Sequence, residues 1–191
     1  MAIRSNGTST NKLNHANIRE MIMLALCAPI IIAGKIILGP IPNVECVTFF
    51  IILFSVVFGW KTLFPVAIFL LEEGLRYGFG PTWYIFYCII WPLLSVMTVL
   101  LKPVFKTNAI SWAIFASVIF VPIFSGINIL ILKLLFSDMF PGSGILAYLV
   151  AEIPYDIAHI IGNFAIMLAL FTPLYRVMEK LMKSGNAPLS D

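Results

Sequence analysis

The sequence predicts an all-α integral membrane protein of six transmembrane helices, with the amino and carboxyl termini both cytoplasmic. Hydrophobic residues make up 61% and charged residues 11% of the 191 residues, against roughly 45–50% and about 25% in soluble domains. The mean hydropathy is +1.01. Apolar segments recur along the chain, and the cationic residues between them favour one side. A soluble domain is therefore excluded, and the sparse charge does not form a nucleic-acid surface.

The apolar segments give the number of spans. A helix that crosses a hydrocarbon core of about 30 Å needs about 20 residues, so this chain has room for about six spans. They are predicted at residues 21–38, 47–59, 63–77, 83–101 and 110–132, followed by a sixth that ends near Tyr175. The second and third are short, so we expect them either to tilt against other helices or to include a re-entrant segment.

The distribution of Lys and Arg predicts the orientation, because cationic loops stay on the cytoplasmic side of a membrane. With the amino terminus inside, only Lys35, Arg76 and Lys133 of the twelve cationic residues fall in the outer half. Basic residues near both ends of the chain then share one side, which requires an even number of spans. We expect one six-helix domain at residues 20–183, between a disordered polar cytoplasmic tail at 1–19 and a cytoplasmic tail at 184–191.

A polar stripe crosses the last span. Glu152, Asp156, His159 and Asn163 are spaced four, three and four residues apart, so at about 100° per residue they lie within about 60° of one another. Ionisable groups at membrane depth cost roughly 2.5–3.5 kcal/mol each on insertion scales, so the stripe is expected to face protein or a wet cavity. It indicates either a binding site or a structural network between helices.

The segment 72–84 carries a second polar site. Glu72 and Glu73 can each pair with Arg76, which leaves one carboxylate for a ligand, and the sequence does not decide which. Trp83 and Tyr84 follow a Gly-rich turn and offer aromatic faces for stacking. An aromatic belt at the membrane interface explains the same residues.

Two further sites have ordinary explanations beside the functional one. Asn43 and Glu45 lie where the first helix is broken and the second begins, and they either line a pocket or belong to an ordinary outer loop with Asn43 as the cap of that helix. Asn128 in the fifth span either lines a cavity or bonds a neighbouring helix. Phosphate-binding loops and metalloprotease or serine-hydrolase motifs are absent from the sequence. Neither a metal nor catalysis is expected.

Three of these segments resemble the substrate-binding S components of energy-coupling factor (ECF) vitamin transporters. IPNVECVTFF at 41–50 is similar to the opening of the second span in that family, although Cys46 stands where the family often has proline. GFGPTW at 78–83 and DIAHIIGNF at 156–164 also resemble S components. The resemblance covers nearly the whole chain and agrees with its size and predicted topology.

The resemblance implies a multi-pass protein of a prokaryotic cell membrane that captures a vitamin or related micronutrient without cofactor or catalysis. Its partners would be a transmembrane coupling subunit and two cytosolic ATPase subunits. Small residues of the first helix would face the coupling subunit, here Ala25, Ala28 and Ala33. The pocket would open on the outer side, with its candidate residues being Asn43, Glu45, Glu72, Trp83, Tyr84, Asn128, Asp156, His159 and Asn163.

The charge of the outer half limits the ligand. Five acidic groups outnumber three cationic ones there, which disfavours an anion and favours a neutral or cationic ring compound. Cobalamin-like, queuosine-like and thiamine-like molecules all remain open. Two other functions also fit the stripe: an ion- or proton-coupled carrier that uses Asp156 and His159 as a relay, and a membrane enzyme that uses the same pair as acid and base.

Overall fold

A computed structural model describes residues 7–41, 44–80, 82–103, 108–135 and 144–184. Within these ranges the chain contains helices and turns but no strand, which confirms the all-α prediction. The helices are α1 (Gly7–Leu38), α2 (Val47–Phe58), α3 (Leu63–Tyr77), α4 (Trp83–Leu101), α5 (Ala109–Leu135) and α6 (Gly144–Ser184), with a short 3-10 helix at Gly59–Thr62 between α2 and α3. Five segments in these ranges are long and apolar enough to cross a membrane: Ile18–Leu38, Val47–Tyr77, Trp83–Leu101, Ala109–Leu135 and Gly144–Lys183.

The segment Val47–Tyr77 contains two helices with a break between them. At 1.5 Å per residue, α2 with 12 residues and α3 with 15 residues reach only about 18 and 22 Å, less than the hydrocarbon core. Gly59 ends α2 with φ 61° and ψ −136°, a backbone conformation that residues with a Cβ rarely adopt. The short second and third helices predicted from the sequence are therefore separate elements.

Contacts between helix ends show the direction of each helix. Near the end of α1, Gly34 packs against Phe50 in the first turn of α2, and Lys35 pairs with Glu73 in the last turns of α3. Near the beginning of the apolar part of α1, Ile18–Leu38, Glu20 pairs with Lys61, which lies between α2 and α3, at 2.7 Å. Helix α2 therefore runs antiparallel to α1, and α3 runs parallel to it.

The remaining helices continue this alternation. Lys102, just after α4, donates to the carbonyl oxygen of Val56 near the end of α2. Arg19 in α1 donates to the carbonyl oxygen of Leu181 at 3.3 Å, so the carboxyl-terminal part of α6 lies beside the beginning of the apolar part of α1. We call this end of the bundle the proximal end, marked by Arg19, Glu20, Lys61, Lys102 and Leu181. The opposite end, marked by Lys35, Glu45 and Glu73, is the distal end.

Helix α2 lies at the centre of the bundle. Ten of its twelve residues are buried, and it packs against α1, α4, α5 and α6. A helix that is apolar on all sides belongs in such a position. Ser55 of α2 and Ser95 of α4 share a buried hydrogen bond at 2.9 Å. This central helix positions the loop before it, which carries Glu45, at the middle of the distal end.

Two helices extend beyond the limits expected from hydropathy. Helix α1 begins at Gly7, inside the segment 1–19 that we expected to be a disordered tail. Helix α6 continues past Tyr175 to Ser184. Once a helix has formed, each added residue gains a backbone hydrogen bond without a new nucleation cost, so helices can continue into polar sequence. Residues 1–6 and 185–191 lie outside the described residues.

Candidate functional site

The polar stripe of α6 faces the bundle, as its spacing predicted. Asn163 is fully buried, and Glu152, Asp156 and His159 are partly buried. Between them, the apolar residues on the other faces of α6 are exposed, among them Ile153, Ile157 and Ile161. Because apolar side chains tolerate lipid and polar ones do not, this arrangement is the one expected of a helix at the edge of a membrane bundle.

Glu45 connects the stripe to the beginning of α2. Its Oε1 lies 3.2 Å from Nε2 of His159. The same carboxylate accepts hydrogen bonds from the backbone amides of Val47 (2.6 Å) and Thr48 (3.2 Å) and from the Thr48 hydroxyl (2.5 Å). The first amides of a helix have no partner within it and carry partial positive charge, so an acidic side chain stabilises them. Glu45 thus joins α6 to the central helix.

These contacts also determine the charge of Glu45. Burial by itself would raise its pKa, but the hydrogen bond and charge of His159 and the hydrogen bonds from Thr48 outweigh burial and hold the pKa below its usual value. Burial raises the pKa of the neighbouring Cys46 thiol, and the negative charge of Glu45 raises it further. Glu45 is therefore a carboxylate near neutral pH, and Cys46 remains a thiol.

Asp156 and His159 contact α5 as well. The Ser125 hydroxyl donates to Oδ1 of Asp156 at 2.5 Å. The ring of Phe124 meets the imidazole of His159 edge to face, with 5.7 Å between ring centres. The loop before α2, helix α5 and helix α6 thus meet at one polar cluster, which we call the Glu45–His159 cluster. It contains Glu45, Thr48, Ser125, Asp156 and His159.

Asn163 lies one helical turn from His159 on the same face of α6. Its side chain is 0% exposed, and neither Nδ2 nor Oδ1 has a hydrogen-bond partner among the described residues. A buried unsatisfied polar group costs about 1–3 kcal/mol. Such a cost is expected where a group serves a ligand rather than the fold. The amide offers one donor group and one acceptor beside the Glu45–His159 cluster.

A second cluster lies beside the first and was missed in the sequence. The carboxylate of Glu73 pairs with Lys35. The Lys35 ammonium lies over three aromatic rings, 5.1 Å from the ring centre of Tyr87, 5.3 Å from that of Tyr77 and 5.8 Å from that of Phe69. We call these five residues the Lys35 cage. Ring contacts connect the two clusters, because the Trp91 ring lies 5.6 Å from that of Tyr87 and 6.0 Å from that of Phe124, which contacts His159.

Of the adjacent carboxylates Glu72 and Glu73, the sequence prediction named Glu72 as a site residue, but Glu73 has the more buried side chain. The side chain of Glu73 is 2% exposed and faces the bundle, whereas Glu72 pairs with Arg76 at the edge of the bundle, with side chains 22% and 43% exposed. Adjacent helical residues point about 100° apart, so Glu72 and Glu73 meet different neighbours, although Oε2 of Glu72 is also buried and has no hydrogen-bond partner among the described residues. The sequence did contain a signal for this cluster: Lys35 is a lone cation near the end of an apolar helix, and such a cation needs a buried partner.

The other four predicted site residues have four different positions. Trp83 borders the Lys35 cage, since its ring lies 5.4 Å from that of Tyr87. Tyr84 packs against Phe79 and Trp83, with 5.0 and 5.6 Å between ring centres, and belongs to neither cluster. Asn128 donates to the Tyr148 hydroxyl at 3.1 Å and so connects α5 to α6. Asn43 lies outside the described residues.

The three predicted docking residues of α1 differ in exposure. Ala28 is 0% exposed and belongs to the core, whereas Ala25 and Ala33 are exposed. At about 100° per residue, Ala33 points about 80° to one side of Ala25 and Ala28 about 60° to the other side, so the three residues do not share one narrow face. Only Ala25 and Ala33 remain available to a partner helix.

The described residues also line cavities elsewhere in the bundle. A groove of about 220 Å³ lies toward the proximal end between α1, α2 and α6, lined by apolar residues such as Met23, Phe54 and Met178. A much smaller one lies between α5 and α6 beside Lys133. Within the described ranges no group of three or more His, Cys, Asp or Glu residues is arranged to hold a metal ion.

Comparison of the chain with protein-family models, curated proteins and solved structures finds no match. The function is therefore argued from the site itself.

Proposed function

We propose that this chain is the membrane-embedded S component of an ECF-type importer and captures a vitamin or related micronutrient. Its partners are a transmembrane coupling subunit and two ATPase subunits, in the cell membrane of a prokaryote. The observation that carries the proposal is the convergence of Glu45, Asp156, His159 and the unpaired Asn163 at the distal end. Such groups are costly inside an apolar bundle unless they bind something.

The orientation belongs to the proposal. With α2 and α3 counted separately the bundle has six crossings, the distal end faces outside and both termini are cytoplasmic. The alternating helix directions support this topology, and so does the position of Lys61 and Lys102 at the proximal end, where Arg19 also lies. A ligand then enters from outside toward the Glu45–His159 cluster.

The side chains at the distal end favour a neutral or cationic ligand. Glu45 is held ionised by its contacts, and the aromatic rings of Tyr87, Trp83 and Phe124 lie beside the two clusters. Rings and carboxylates together suit a flat or cationic compound with hydrogen-bond donors. The Asn163 amide adds a donor and an acceptor for the polar edge of a ring.

Equilibrium binding to detergent-purified protein tests this function. We expect about one micronutrient per chain from a panel of vitamins, with the affinity reduced about tenfold or more in His159→Gln and in Asn163→Leu, equivalent to about 1.4 kcal/mol or more. His15→Gln is the matched control, because it removes the other histidine of the chain, far from the site in sequence. Absence of binding across the whole panel would contradict the proposal.

A second candidate is an ion- or proton-coupled carrier that works alone. The contact between His159 and Glu45 favours it, since two titratable groups in contact can pass a proton. Uptake by the chain alone in liposomes without ATP, abolished by a protonophore, would identify the carrier. Binding without such uptake supports the S component.

A further inference from the structure

The Lys35 cage has the composition of a binding site for a cation. Phe69, Glu73 and Tyr77 come from α3, Tyr87 comes from α4, and the ammonium comes from Lys35 near the end of α1. A carboxylate surrounded by aromatic faces is the arrangement that proteins use to hold ammonium groups of ligands. Without Lys35, the four residues of α3 and α4 still form a complete cation site.

The five residues differ in how firmly they are held. The Glu73 side chain is 2% exposed, but that of Lys35 is 26% exposed. The residues after Lys35 in the last turn of α1, Ile36 and Ile37, are exposed at the distal end. A lysine head group on a four-carbon stem can turn toward water at such a position, whereas Glu73 has no comparable route.

We propose that Phe69, Glu73, Tyr77 and Tyr87 form a subsite for a cationic group of the ligand, and that Lys35 fills this subsite until the ligand displaces it. The inference rests on the proposed function in one respect, that a ligand enters from the distal end. The ligand class is then a compound with an ammonium or a cationic ring, rather than any neutral micronutrient.

Exchange of one cation for another explains why the subsite selects charge. Glu73 stays paired when a ligand cation replaces the Lys35 ammonium, so no buried charge is left uncompensated. A neutral ligand has no such exchange and leaves Lys35 in place. An anion is repelled by Glu73 and by the nearby Glu45. The equilibrium is between the cage filled by Lys35 and the emptied cage. A ligand shifts it only to the extent that the ligand binds the emptied cage more tightly.

Choline and its uncharged analogue 3,3-dimethyl-1-butanol, which have nearly the same shape, serve as probes. Equilibrium binding is measured with the purified full chain, as wild type and as Lys35→Met. We expect Lys35→Met to bind choline about tenfold more tightly or better, because a site free for only a fraction of the time binds with an affinity reduced by that fraction. Binding of the alcohol should not change. Glu73→Gln should reduce choline binding to the level of the alcohol.

Lys133→Met is the matched control, because it removes a cation from the distal part of α5 outside the cage, and it should leave choline binding as in the wild type. Equal binding of choline and the alcohol, unchanged or weaker choline binding by Lys35→Met, or absence of choline binding by every variant would each overturn the proposal.

A measurement on the wild type tests the proposal even if one of the variants fails to fold. Lysine labelled with ¹³C at Cε gives one NMR signal per residue, and the Lys35 signal is identified as the one absent from Lys35→Arg. Three nearby rings should shift it away from the other lysines, and choline should return it to the solvent position. A Lys35 signal that stays in place at saturating choline overturns displacement.

The test separates this inference from the proposed function. Micronutrient binding that is unaffected by Lys35→Met and by Glu73→Gln supports capture but overturns the cation subsite. Choline binding that responds to both substitutions, without binding of any micronutrient, supports the subsite and contradicts the S-component function.

Discussion

Glu72 and Glu73 are adjacent acidic residues that should respond differently to the same substitution. Glu73 is 2% exposed and pairs with Lys35 inside the bundle, whereas Glu72 pairs with the more exposed Arg76. We predict that Glu73→Ala lowers the free energy of unfolding by about 3 kcal/mol, and that Glu72→Ala lowers it by less than about 1 kcal/mol.

The magnitude follows from burial. Removal of one partner from a buried ion pair costs about 3–5 kcal/mol, because the other charge is left without compensation. The Lys35 side chain is 26% exposed and can turn toward water, which places the expected value at the lower end of that range. The Glu72–Arg76 pair has the i,i+4 spacing on a helix and contributes only about 0.3–0.5 kcal/mol.

Reversible unfolding in mixed detergent micelles, followed by circular dichroism, measures both variants against the wild type. The double variant Lys35→Met with Glu73→Leu should regain most of the loss, since replacement of a buried ion pair by apolar residues is often neutral. If the two single variants differed by less than about 1 kcal/mol, or the double variant were as unstable as Glu73→Ala, the assignment of Glu73 to the buried pair would be refuted.

Three further predictions concern other parts of the bundle. Folding holds the pKa of Glu45 below its usual value of 4.5, so its stabilising effect is present above that pH and is lost as the pH falls through the folded pKa. Glu45→Gln should therefore flatten the acid side of the melting-temperature profile, below about pH 5. Gly34→Leu should destabilise the fold by about 1–3 kcal/mol, because a Cβ added at this position meets the Phe50 ring at 2.7 Å. Gly126→Ala should instead stabilise the fold by up to about 1 kcal/mol, since nothing lies within 4 Å of the added Cβ and alanine favours a helix. Ala28→Leu should cost about 1–3 kcal/mol in the same unfolding assay, and Ala33→Leu, on the exposed face of α1, should change stability by less than about 0.5 kcal/mol.

The inward-facing stripe of α6 could be predicted because it depends on one helix only. The spacing of Glu152, Asp156, His159 and Asn163 determines that they share a face, whatever packs against that face. Their partners could not be predicted in this way. Glu45 lies 114 residues from His159 along the chain, and such a pairing depends on the packing of three helices.

The segment 47–77 shows the same limit. The sequence predicts two short helices there, at 47–59 and 63–77, but not the direction of either, and by length and apolar composition the segment could also form a single span. The reversal at Gly59 becomes visible only through contacts of α2 and α3 with opposite ends of α1. Apolar composition measures the affinity for lipid, and it carries no direction.

By itself the sequence determined that the helices are apolar enough for a membrane, that the fold is all-helical, and which face of the last helix is polar. These follow from composition and helical periodicity, which are local properties of the chain. Only the tertiary structure decided that Glu73 rather than Glu72 is buried, that Ala28 belongs to the core, and that Lys35 lies in an aromatic cage. These depend on which surfaces meet, and residues distant in sequence meet only through the packing of whole helices.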